Sequence, residues 1–452
     1  MKKITGTKKL LLYSLSGLGV NMLGIIIGSY LCDALMVEGF DMNVENWTYL
    51  NRTLVAASLW AILIAVAKIL DGFIDIPFAA WTDKLKTRWG KRRPAILVGF
   101  VPMLVAYLLF LLPLTTEKNS ILNTIWFGSL LCIFYCGYTM TMVAYYATFS
   151  EIVDNEADRL KIANFKTTFD VMYYVLGFAL IPMLVGSMNI RMIALLFLPL
   201  SFTMLIPMFM IKEKSTLDKD VLNDPDKELL EEKHVGLVES VKYTIKNRNF
   251  VIWLAVYFTL QFSVQLFLDA QNVYYSGVTK LSGGQISIVM ACAFAPVPFT
   301  LILYNHLVKR YGLKYGYIFS LIAYMSAMLV LAFSGANIIK DTTTRLIFAC
   351  IGAVFSSFGT GCFFSINYTI PSAIACIEKK KTGISNPAMY FAIQGLISGV
   401  ATAISTGLVW VNLRAHKLIT LMPLIVIIGG LVSLFIAIIL PKEINSITKV
   451  EE

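Results

Sequence analysis

Residues 53–94 read TLVAASLWAILIAVAKILDGFIDIPFAAWTDKLKTRWGKRRP. The first part, 53–81, is an apolar run longer than the roughly 20 residues a bilayer-spanning helix needs. The second part, from Lys84 to Arg93, carries six basic residues. A long apolar segment that ends in a cluster of Lys and Arg has the form of a membrane helix whose following loop stays on the cytoplasmic side. Three charges interrupt the apolar run: Lys68, Asp71 and Asp75. Their spacing, i, i+3 and i+7, puts them on one face of a helix within two turns.

The rest of the chain repeats this form. Of the 452 residues, 57% are hydrophobic and 15% charged, against about 25% charged in an ordinary soluble domain. Twelve apolar runs are long enough to span: 10–36, 53–81, 95–114, 123–149, 167–187, 192–211, 249–277, 285–308, 316–335, 345–376, 388–411 and 418–440. With the N-terminus inside, 29 of the 38 basic residues fall in cytoplasmic segments, 8 fall outside and Lys68 lies in a helix. This asymmetry predicts that both termini are cytoplasmic in a cell inner (plasma) membrane. The net charge of +10 is thereby explained by loop topology, and no nucleic-acid partner is expected.

The charge-dense stretch after Ile211 divides the chain. We expect a six-helix bundle over 1–211, a cytoplasmic central loop over 212–248, a second bundle over 249–441 and a tail over 442–452. Within the loop, GLVESVKYTIKNRNF is amphipathic, so it either lies along the membrane surface or is a solvated linker. A short repeat supports the division. Arg88-Trp-Gly-Lys-Arg92 follows the second run, and Arg310-Tyr-Gly-Leu-Lys314 follows the eighth, the equivalent place in each half. Two like halves related by an axis along the membrane normal are characteristic of one large transporter class. The expected fold is all-α and polytopic, with twelve transmembrane helices in two six-helix bundles.

A charge at the bilayer centre costs at least roughly 2.5–3.5 kcal/mol, so each one is a candidate functional group. Asp71 and Asp75 offer hard oxygen ligands for Na⁺ or a site for a proton, with Lys68 as their charge partner; a cluster that only pins helix packing is the competing reading. Asp170 lies four residues after Lys166, which suits an ion pair. Asp269 follows Gln261 and Gln265 in a polar stripe that continues to Asn272 and either lines a pathway or packs between helices. Asp33 lies near the outer end of the first helix, where it is expected to reach the interface. Asn21, Asn367 and Gln394 are uncharged polar groups within helices, suited to interhelical hydrogen bonds or to ligand contacts. No GxxxxGK[ST], HExxH or CxxC motif is present. Neither ATP-driven transport nor a cofactor beyond a coupling ion is expected.

The stretch from Asp71 to Pro94 closely resembles the second-helix signature of the glycoside–pentoside–hexuronide:cation symporters of the major facilitator superfamily. The matching positions are Asp71, Asp75, Pro77, Ala79, Asp83, Thr87, Arg88, Trp89, Gly90, Arg93 and Pro94. Pro77 is one place late, and Ala79 stands where the family usually has Gly. The resemblance implies that Asp71 and Asp75 bind the coupling cation, Na⁺ or H⁺, helped by Thr139 with Thr141 as its near neighbour. It implies a sugar site that includes Asn21, Tyr145, Tyr146, Lys166 and Gln394, to which Asn367 is added as a polar residue of the tenth helix. It also implies a cytoplasmic gate in which Asp83 pairs with Arg88, Arg92 or Arg93 around Gly90. The chain departs from the family where Met142 and Asn21 replace acidic residues and Gly399 replaces a Lys.

The function implied is cation-coupled symport of a sugar or glycoside by alternating access, performed by a monomer without enzymatic activity. An amphipathic or lipid-like solute is an alternative cargo. A membrane sensor that moves nothing is a remoter one.

Overall fold

The computed structural model of the chain describes residues 6–150, 152, 156–211, 213, 215, 244–382 and 387–440, apart from certain side chains within the helices. Among the described residues, twelve helices are long and apolar enough to cross a membrane, and there is no β-strand. They are α1 (Thr7–Ala34), α2 (Ala57–Lys84), α3 (Arg92–Phe110), α4 (Ile121–Ala147), α5 (Thr168–Val185), α6 (Ile190–Met210), α7 (Arg248–Gly277), α8 (Gly283–Tyr311), α9 (Leu313–Phe333), α10 (Thr342–Thr382), α11 (Met389–Ala415) and α12 (Met422–Ile438). We call the side on which α1 begins the near face and the opposite side the far face. The central connection and the tail lie almost wholly outside the described residues.

Local chemistry explains several helix starts. The side chains of Ser120, Asn189, Asn247 and Ser282 each accept a hydrogen bond from a backbone N–H in the first turn of α4, α6, α7 and α8. In lipid every backbone group must find a partner, so polar residues mark the ends while the interiors stay apolar. The repeated loop motif places a glycine of positive φ before the next helix in both halves. Gly90 (φ 83°) and Gly312 (φ 96°) adopt the left-handed region that glycine tolerates best, and each lies just before the next helix,.

The helices of each half pack mainly on one another, and among the described residues the halves meet chiefly where α2 packs on α11, α5 on α8 and α1 on α7. The far-face part of this seam is shut. A Cβ on Gly277 would sit 1.9 Å from the Gly39 carbonyl oxygen, and one on Gly407 would sit 2.8 Å from that of Ala61. Phe178 of α5 stacks on Phe294 of α8, with ring centroids 5.2 Å apart.

Asp33 corrects a sequence expectation here, because it does not reach the interface. It is buried in an ion pair with Arg414 of α11, at 2.7 Å. Trp410 donates to the same carboxylate oxygen, and Arg414 also donates to the carbonyls of Asp33, Met36 and Glu38. A guanidinium with so many acceptors bears burial that a lone charge would not.

Candidate transport site

With the far half of the seam closed, the near half holds a cavity of about 510 Å³ between the bundles. From the first bundle, α2 contributes Lys68, Asp71 and Gly72, and α4 contributes Tyr138, Thr139, Met142, Val143 and Tyr146. From the second, α7 contributes Tyr257, Gln261 and Gln265, and α11 contributes Phe391, Gln394, Ser398 and Thr402. Aromatic rings, amides and hydroxyls surround one ammonium and one described carboxylate. Tyr146 is 43% exposed at the near-face end of α4.

Lys68 and Asp71 of α2 both face this cavity, as their i, i+3 spacing requires,. Asp71 accepts a hydrogen bond from Thr139. Lys68 donates to the Tyr135 hydroxyl at 2.7 Å, and its Nζ lies 4.0 Å from the Tyr135 ring centroid. The side chains of Asp75, Asp83 and Asn367 lie outside the described residues.

Neighbouring pairs on α4 separate. Thr139 lines the cavity, whereas Thr141 is buried against α3 and donates to the Gly137 carbonyl. Tyr146 lines the cavity, whereas Tyr145 is buried and donates to the Tyr13 carbonyl of α1. Thr141 and Tyr145 therefore pack between helices and are not brought to the cavity.

Asn21 and Lys166 stand one contact behind its wall. Tyr138 donates to Asn21, Asn21 donates to Asp170, and Lys166 forms an ion pair with Asp170. The Lys166 Nζ lies 5.2 Å from the centroid of Tyr146. This chain of polar contacts fixes the two tyrosines that face the cavity. Gln394 lines it directly and accepts from the Trp253 indole N–H at 2.7 Å, which orients its amide.

The loop expected to act as a gate has a partner that its sequence did not reveal. Glu213, just beyond α6, accepts from the backbone N–H groups of Arg92 and Arg93 at the start of α3. A carboxylate at a helix N-terminus satisfies orphan donors and complements the dipole. A Cβ on Gly90 would lie 2.3 Å from Glu213, so the glycine permits the approach. Arg88 is exposed, and Arg92 is buried at the start of α3. The only advance signal for Glu213 was an acidic residue in an otherwise basic flank.

A family model described as MFS/sugar transport protein matches residues 12–418. No curated protein matches the chain by sequence. Among solved structures, the chain is similar to the nucleoside transporter NupG, with 16% identity, 96% of this chain and 98% of that chain covered, and a TM-score of 0.63. A POT family transporter in complex with 5-aminolevulinic acid gives 14%, 96% and 95%, and 0.64. A D-xylose-proton symporter gives 15%, 98% and 98%, and 0.61. At these identities the likeness is one of fold.

Proposed function

The chain belongs to the MFS/sugar transport protein family of non-enzymatic secondary transporters, and from that premise we propose that it is a cation-coupled symporter of a sugar or glycoside. The observation that carries this reading is the Asp71–Thr139 pair beside Lys68, facing a cavity between the two bundles. A carboxylate and a hydroxyl are suitable ligands for Na⁺, and the carboxylate alone suits H⁺. Asp75, one turn further along α2, is assigned to the same site by its spacing and its family position.

The wall opposite suits a polyhydroxylated ring. Amides of Gln261, Gln265 and Gln394 both donate and accept, as a sugar leaving water requires, and Tyr138, Tyr146, Tyr257 and Phe391 offer flat apolar faces,. The near face is cytoplasmic in this reading, as the basic loops predict, and the protein works as a monomer in the plasma membrane with no cofactor besides the coupling ion. Coupling follows from charge. A bare Asp71 is costly to move past the apolar seam, and a bound cation offsets that cost.

Uptake into proteoliposomes, driven by a Na⁺ or a proton gradient and surveyed over labelled sugars and glycosides, tests the proposal. Asp71→Asn is expected to abolish gradient-driven accumulation while counterflow of the same sugar persists. Unchanged accumulation in that variant would overturn the coupling role, and transport of amphipathic solutes alone would overturn the cargo.

A further inference from the structure

Asp269 of α7 is a buried carboxylate that the Asp71 site does not use. It is 3% exposed. Oδ1 accepts from Ser29 of α1 at 3.3 Å, Oδ2 accepts from Thr406 of α11 at 2.5 Å, and both accept from the Gln265 amide, at 2.9 and 3.0 Å. All these partners are neutral. Among the described residues no ion pair reaches Asp269. Lys68 is the nearest cation whose field it feels, and that ammonium is already hydrogen-bonded to Tyr135. Lys68 is thus a counter-charge shared with Asp71 and not in contact, so desolvation of the buried carboxylate is only partly offset,.

A second observation adjoins it. Asn272 lies three residues further along α7, on the same helical face, and is 1% exposed; the Tyr30 hydroxyl is its polar neighbour, yet neither its side-chain nitrogen nor its oxygen makes a well-formed hydrogen bond,. A buried amide whose oxygen and nitrogen are both left without a well-formed bond is uncommon in a native protein. The carboxylate, the Ser29 and Thr406 hydroxyls, and the Gln265 and Asn272 amides together supply six side-chain oxygens from three helices. A hard cation takes an all-oxygen set of this kind. One carboxylate with Lys68 nearby suits a single positive charge better than a double one. Gln265 also lines the cavity, which gives an ion a route from the near face.

We infer that Asp269, Ser29, Thr406, Gln265 and Asn272 form a second monovalent-cation site, distinct from Asp71 and Thr139, that takes Na⁺. On binding, the hydroxyls, whose O–H groups donate to the carboxylate, offer their oxygen lone pairs to the ion, and rotation of the Gln265 amide presents its oxygen. Ser29 belongs to the first bundle and the other ligands to the second, so the ion also ties the bundles together in the far-closed arrangement.

Equilibrium binding of radioactive Na⁺ to the purified full-length protein in detergent tests this without any sugar. Asp71→Asn is expected to retain one Na⁺, and Asp269→Asn is expected to lose one relative to the unaltered protein. Ser29→Ala, which keeps the carboxylate and removes only a hydroxyl, is expected to weaken the Asp71-independent Na⁺ by about tenfold. Stoichiometry unchanged in Asp269→Asn, or no Na⁺ remaining in Asp71→Asn, would overturn the second site. So would Ser29→Ala binding with unaltered affinity. If the unaltered protein binds a single Na⁺ that Asp269→Asn removes, the second site stands and Na⁺ binding at Asp71 fails.

Discussion

Thr139 and Thr141 show how much a helix hides at the scale of one residue. Two positions apart means about 200° around the axis, so of two threonines suited to a cation only one can face the cavity. Tyr145 and Tyr146, one position apart, differ by about 100°, enough to send one into the helix packing and the other into the cavity,. Lys68 and Asp71 were legible in the sequence because a charge inside an apolar run is costly and rarely kept without a role, and their spacing already placed them on one face. Composition and spacing did not say which face of α4 they would meet; only the family resemblance pointed to Thr139. The Asp71–Thr139 contact yields a prediction at this scale. A hydrogen bond to a charged group contributes about 1.5–3 kcal/mol, and Thr139→Val keeps the volume while removing it. The cation concentration for half-maximal uptake is expected to rise about tenfold or more. A value unchanged in transport assays would detach Thr139 from the cation.

Elements meet where side chains are smallest. Along α11, Gly395, Gly399 and Gly407 lie against α2, and a Cβ on Gly399 would come within 2.9 Å of the Lys68 carbonyl oxygen. This explains a departure that looked like a loss in the sequence. A Lys at 399 cannot fit while α2 and α11 approach this closely. Gly407→Val would press on Ala61 and Ala65 at the far end of the same pair. Overpacking of this kind costs about 1–3 kcal/mol, here borne by the far-closed arrangement. Cysteines placed on facing far-end positions of α2 and α11 are expected to cross-link more slowly in that variant, and an unchanged rate would contradict the strain. The start of α3 is a second case. Glu213→Gln keeps an acceptor but removes the charge, and should lower thermal stability by about 0.3–1 kcal/mol.

The whole molecule is held far-closed by contacts between residues that are remote in the chain. Asp33 and Arg414 are both buried, and removing one partner leaves the other charge without compensation at a cost of about 3–5 kcal/mol,. Arg414→Ala should therefore open the far face. Cys32, buried beside Asp33, is the built-in reporter. A membrane-impermeant maleimide added from the far side is expected to label it several-fold faster in Arg414→Ala, and Cys32→Ser should remove the extra signal. Equal labelling rates would show that this ion pair does not govern opening. Pairing Arg414→Ala with Asp33→Ala should restore much of the lost thermal stability, because no unpaired charge is then buried.

By itself the sequence determined the number of spanning helices and the face of α2 that carries Lys68 and Asp71. Each follows from local composition and helical period, which act within a few turns. Only the tertiary structure decided that α2 packs on α11, that Asp33 pairs with Arg414, that Glu213 caps α3 and that Ser29 and Thr406 converge on Asp269. Those partners lie as far as 381 residues apart. Their meeting depends on how small residues let helices approach and on which buried charges find compensation, and neither is encoded in any single stretch of chain.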